Sequence, residues 1–147
     1  MADPQTLTTV VAAAGFLVEE FVDLPHLPSP MAVWRPFILA SAMPAIRVPY
    51  DDADHDGRVD RAWREFSTSN GTLTAAAAVL LSVEGAGRLP WLRVRVKGHL
   101  SRASAVALPG QANGFVAMSL DGSASTGVSS EEWETWILAD SRPRANP

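Results

Sequence analysis

The sequence predicts an α+β fold: an antiparallel sheet flanked by an amphipathic N-terminal helix and a short C-terminal helix. Three observations carry that prediction. Leu7, Val10, Val11, Ala14, Leu17, Val18 and Phe21 recur at three- and four-residue spacing, which lays one apolar stripe along a helix. Leu92-Arg93-Val94-Arg95-Val96-Lys97 alternates strictly, placing leucine and valines on one strand face and three cations on the other. Ser129-Ser130-Glu131-Glu132 has the form of a capping box ahead of Trp133, Trp136 and Ile137, which opens a terminal helix with a tryptophan-rich inner side.

The elements follow in order. Asp3 can cap free backbone N–H groups and Pro4 fits a first helical position, so the first helix is predicted from Pro4 to about Val22. Pro25, Pro28 and Pro30 end it and impose an extended connector. Residues 32–39 and 45–48 are rich in valine, isoleucine and aromatic residues but are interrupted by Pro36, Pro44 and Pro49, which suits edge strands. Residues 60–66 read as a short helix with Trp63 and Phe66 inward, broken by residues 67–71. Residues 73–83 suit a helix by alanine content and a strand by their bounding glycines; strand is preferred. Residues 105–108 and 115–120 flank Pro109-Gly110-Gln111-Ala112-Asn113-Gly114, a hairpin-like connector. Residues 1–140 are predicted to form a single globular domain, followed by a polar tail over 141–147.

Composition narrows the function classes. The chain has 147 residues and no cysteine, which removes disulfides, thiolate metal sites and cysteine nucleophiles. Asp3 and Glu19-Glu20 bracket the apolar N-terminal stretch, and no basic segment precedes it, so it reads as a helix of the mature protein. The longest unbroken apolar run, residues 75–81, is far short of the roughly 20 residues a membrane helix needs. A cytoplasmic or otherwise intracellular protein is expected, with a virion as a further setting.

Asp52-Ala53-Asp54-His55-Asp56-Gly57 is the most distinctive local feature. Asp52, Asp54 and Asp56 supply oxygens at alternate positions, Gly57 follows where a backbone turns sharply, and Asp60 lies three residues on. This segment resembles the first half of an EF-hand calcium loop, which implies Asp52, Asp54, Asp56 and Asp60 as metal ligands. The pattern departs at its end: Trp63 stands where the family has a bidentate glutamate, Glu65 comes two residues late, and Pro44 and Pro49 forbid a preceding helix. The site that remains is a weak Ca²⁺ site of strand–loop–helix form; otherwise no cofactor is expected. His55 has no partner histidine at ligand spacing.

Charge is segregated along the chain. Residues 51–60 hold five carboxylates against Arg58, a balance equal to the net charge of −4 of the whole molecule. Residues 85–120 hold no acid at all, whereas Arg88, Arg93, Arg95, Lys97 and Arg102 fall there as a candidate partner or anion contact. Nucleic acid is disfavoured as the partner by the acidic total. An acidic loop and a basic strand instead suit contact between copies of the chain.

No GxSxG, HExxH or phosphate-binding loop occurs, and Gly85-Ala86-Gly87-Arg88 lacks the further glycine of a dinucleotide fingerprint. The leading expectation is a non-catalytic structural subunit of a larger homomeric complex, of virion or tail-like kind. A small calcium-dependent binding module built on residues 52–57 is the second. A small enzyme or ligand-binding domain, with a cavity under the terminal helix lined by Trp133 and Trp136, is the third.

Overall fold

A computed structural model describes residues 3–39 and 41–140, so the polar tail at 141–147 lies outside the described residues. Its centre is a seven-stranded, fully antiparallel sheet with strands β1 (Leu17–Val22), β2 (Ile46–Pro49), β3 (Ala78–Val83), β4 (Trp91–Arg95), β5 (Gly114–Met118), β6 (Ser125–Ser130) and β7 (Glu134–Ala139). Their order across the sheet is β1-β4-β3-β5-β6-β7-β2. Three α-helices complete the main elements: α1 (Pro4–Ala13), α2 (Pro30–Ile38) and α3 (His55–Asn70). The α+β class with an antiparallel sheet and an N-terminal helix is as predicted. No helix among the described residues is long and apolar enough to cross a membrane.

The first helix starts where expected and ends early. Asp3 accepts from the backbone N–H of Gln5 and Thr6 at 2.8 and 3.2 Å, and the Thr6 hydroxyl donates to it at 2.6 Å. The Thr6 bonds hold the Asp3 carboxyl below its usual range. Leu7 and Val11 are buried. Gly15 then takes φ +93°, a left-handed conformation, and the chain continues as β1 rather than running helically to Val22. The helical spacing of Val18 and Phe21 has a different cause. A bulge between Val18 and Glu20 adds a residue to β1, so two side chains three apart both pack against the main core.

In place of the edge strand expected over residues 32–39, the chain is helical as far as Ile38 and only Leu39 is extended. Ser29 accepts from the N–H of Ala32 at 3.2 Å and Pro30 occupies the first turn, which outweighs the β-branched content. Residues 46–49 do form an edge strand, β2. The helix expected at 60–66 extends both ways, from His55 to Asn70, and stops at Gly71 with φ +90°. β3 begins only at Ala78, because residues 74–77 form a turn with Ala77 at φ 57°. The alternating cationic strand is β4, with Leu92 and Val94 fully buried. Residues 105–108 form no strand. They belong to a packed cover over residues 96–113, pinned where the Asn113 amide donates to the carbonyls of Ala103 and Val106, both at 2.9 Å.

The expected C-terminal helix is absent, and residues 134–139 are strand β7. Ser129 and Glu132 make no capping box: the Ser129 hydroxyl binds the Glu131 carboxylate, and residues 131–134 turn tightly through the Glu131 N–H bond to the Glu134 carbonyl at 2.9 Å. Thr135 and Ile137 then face one side of the sheet and Trp136 the other, an alternation the capping motif hid. A cavity beneath a terminal helix is therefore absent too, with Trp133 in the hairpin turn and 75% exposed.

The sheet is covered unequally. On one face α1, α3 and residues 96–113 bury the larger core around Trp63, Phe115, Leu81 and Leu92. On the other, the nine-residue α2 and its preceding connector cover Leu80, Trp91, Val116 and Met118. Trp63 is fully buried, with Phe115 and Phe16 edge-on at 5.4 and 6.1 Å. Its indole N–H donates to the Thr126 hydroxyl at 3.1 Å, and Ser67, one turn on, meets the same hydroxyl at 3.1 Å.

Two substitutions test this account. Thr126→Val should leave the Trp63 N–H and the Ser67 hydroxyl unpaired in the core, costing about 2 kcal/mol in denaturant unfolding. Gly15→Ala would overlap the Leu100 carbonyl oxygen from a left-handed position and should cost about 3 kcal/mol by the same measurement.

Candidate functional site

The acidic turn folds as the entry to α3, and its carboxylates diverge. Asp52 accepts from the Asp54 N–H at 2.8 Å and pairs with Arg58; these two contacts, the backbone bond first, hold its carboxyl below the usual range. Asp54 pairs with Arg61 at 3.0 Å. Asp56 meets His55 Nδ1 at 2.7 Å. Asp60, in the second turn of α3, accepts from the Ser104 N–H at 2.8 Å and lies 3.7 Å from the Arg102 guanidinium. Asp56 and Asp60 stand on the helix itself, where an EF-hand loop would still be irregular. Among the described residues no group of three or more histidine or acidic side chains is placed to hold a metal ion.

The turn is instead joined to the tip of the β6–β7 hairpin, which sequence reasoning missed. The Tyr50 N–H donates to the Trp133 carbonyl at 3.1 Å and its hydroxyl to the Glu131 carbonyl at 2.5 Å. His55 links the two segments: its Nε2 is 2.8 Å from the Thr135 hydroxyl, and the Tyr50 ring tilts over it at 5.3 Å. Asp56, His55 and Thr135 thus form a carboxylate–imidazole–hydroxyl chain with the spacing of an activated nucleophile. Thr135 is 1% exposed, within the β6–β7–β2 ladder, so no substrate carbonyl could reach its hydroxyl. The chain serves as a strut between α3 and β7.

The basic stretch is largely neutralised. Glu19 lies 3.2 Å from Arg93 and 3.7 Å from Arg95, and Arg95 also donates to the Ala76 carbonyl at 2.9 Å. Arg102 faces Asp60. Among the described residues Arg88 and Lys97 keep exposed side chains with no ion pair. The five cations predicted as one contact therefore divide into three that brace the fold and two that point to solvent.

The α2 face of the sheet holds the remaining chemistry. Trp34 donates to the Ser82 hydroxyl at 2.9 Å, and Gly127 lies close enough to the Phe37 ring that a Cβ there would stand 3.3 Å from it. Beyond the end of α2, Arg47 stacks on Trp136 at 5.5 Å and pairs with Glu134 at 3.6 Å. Glu84 folds over Gly114, where a Cβ would come within 2.5 Å of its carboxylate. Burial, and then the nearby Glu131 carboxylate, push the Glu84 carboxyl above its ordinary range. A half-buried acid of raised pKa beside exposed apolar side chains marks this face as the strongest candidate for contact with another molecule.

No protein-family model, curated protein or solved structure matches the chain.

The carboxylates generate two expectations. Because Asp52 and Asp54 each hold a guanidinium and Asp60 a backbone N–H, several millimolar Ca²⁺ should leave the thermal midpoint where a chelator leaves it. Glu84 titrates above its unfolded value, so its ionisation weakens the fold at neutral pH and the penalty fades as pH falls. Glu84→Gln should raise the midpoint at pH 7, and the gain should vanish near pH 3.5, about a unit below the unfolded glutamate pKa.

Proposed function

We propose that the chain is a non-catalytic structural subunit that self-associates into a larger homomeric assembly, using the outward face of α2 and the loop after it. The observation that carries this reading is that four of the eight large hydrophobic residues exposed among those described fall together. Met31, Ile38, Leu39 and Met43 are 49, 66, 54 and 73% exposed and follow one another along a single stretch. Met31, Trp34 and Ile38 line a hollow of about 190 Å³ with Gly85 and Gly87, which makes helix and turn one continuous surface. Contiguous apolar surface of this kind marks interaction sites in soluble proteins.

Charge favours a second copy as the occupant. Arg35 is exposed on the same stripe with no partner among the described residues, while Glu84 and Glu131 crowd the border of that surface. One patch holding both signs can complement itself, as an isologous contact requires. A guanidinium from the second copy would offset the burial that disfavours the Glu84 carboxylate. The basic strand offers less, since Glu19 and Asp60 already occupy most of its cations. A repeating particle, virion or tail-like, is the setting such a subunit fits.

Light scattering on purified protein is the test. The wild type should have a mass above that of one chain, and Ile38→Asp should return it to the monomer with an unchanged circular dichroism spectrum. A strict monomer at high concentration and low salt would sink the reading.

A further inference from the structure

A second recess adjoins the exposed α2 stripe, sharing Met31 and Gly87 with it, at the end of the sheet where Val22 of β1 pairs with Trp91 of β4. Residues 22–25 and 27–31 form one wall and residues 87–91 the other, around an open volume of about 490 Å³, within the size range of small-molecule sites. Leu24, Leu27 and Leu89 make it apolar, and Trp91 forms its floor. The walls are stiff. Pro25, Pro28 and Pro30 fix one connector and Pro90 the other, so little ordering entropy is lost on binding.

The polar groups of the walls are mostly engaged with each other. The Trp91 indole donates to the Pro28 carbonyl at 2.9 Å, the Leu27 N–H to the Leu24 carbonyl at 2.9 Å, and the Ser29 hydroxyl caps α2. Two charges stay unspent: Asp23 on one wall and Arg88 on the other, both exposed and neither hydrogen-bonded nor ion-paired among the described residues. They contrast with Arg93, Arg95 and Arg102, each held by an acid of the fold.

We infer that this recess binds a small zwitterion with an apolar side chain, the chemistry of a free apolar α-amino acid, its carboxylate on Arg88 and its ammonium on Asp23. The side chain rests between Leu24, Leu27 and Leu89 above Trp91. A peptide terminus is a poorer match, because it brings one of the two charges and not both. A simple anion leaves Asp23 facing like charge.

Titration calorimetry with L-leucine and L-phenylalanine tests the site. N-acetylleucine, which keeps only the carboxylate, and leucinamide, which keeps only the ammonium, serve as one-charge probes. Leucine or phenylalanine should bind with a sub-millimolar Kd, and each one-charge probe about tenfold more weakly. Arg88→Ala should reduce leucine to the affinity of leucinamide, and Asp23→Asn to that of N-acetylleucine, while Lys97→Ala changes nothing. Both side chains are exposed and unpaired, so the variants should keep the wild-type circular dichroism spectrum. No heat from either amino acid at about 10 mM, or binding that survives both substitutions, overturns the inference. N-acetylleucine binding as tightly as leucine overturns it as well.

Discussion

The bond between the Trp63 indole and the Thr126 hydroxyl is the contact on which the arrangement of the layers depends. The largest side chain of the core cannot be buried without a partner for its N–H, and Thr126 supplies it from the middle of the sheet. That requirement sets the height and rotation of α3. With Trp63 fixed, Val59 and Ser67 on the same helix face meet the sheet one turn to either side. Phe16 and Phe115, edge-on to the indole, bring in the segment before β1 and the central strand β5. One aromatic residue and one hydroxyl thereby register helix, sheet and N-terminal segment.

The other face is pinned by a bond of the same kind, from the Trp34 indole to the Ser82 hydroxyl, but its helix is shorter and only partly buried there, and its cover is less complete. A helix of nine residues cannot span seven strands, so α2 covers the middle and the flanks carry paired charges instead. Glu19 with Arg93 and Arg95 occupies one flank, and Arg47 with Trp136 and Glu134 the other. Exposed pairs of this kind contribute little to stability, typically below about 1 kcal/mol each. Their consequence is on shape. They keep charge on both flanks, while four of the eight large hydrophobic residues exposed among those described fall on the helix between them and the loop after it.

Much of the fold was legible in the sequence where one local rule acted alone. The Asp3 cap, the alternation of β4 and the edge position of β2 followed from hydrogen-bonding need, pleat and proline. Errors arose where two rules overlapped. Val18 and Phe21 share a face through a bulge, and their spacing imitates a helix. Ser29-Pro30 is a helix start, but Pro36 made the following residues look like an interrupted strand. Ser129 and Glu132 have capping-box spacing, yet Thr135 and Ile137 already alternate with Trp136 and Leu138 as a strand does. Candidate contacts were harder, because partners across the sheet have no signature in sequence. Glu19 lies 74 positions from Arg93, and nothing near either residue foretells the pair. The nearness of Tyr50 to Trp133, and the placing of Asp23 and Arg88 on one recess, likewise exist only once the strands are ordered.

The two outer strands differ in length but share a chemistry that limits how copies can meet. β1 is broken by its bulge and carries Glu19 and Glu20, while β2 has four residues and ends in a proline. A neighbouring strand laid along β1 would meet a misaligned ladder and, in a two-fold pairing, its own negative charges; along β2 it would lack a donor. Extension of the sheet from one molecule into the next is closed off at both margins. Contact between copies of the kind proposed would then have to run through side chains and not through strand pairing.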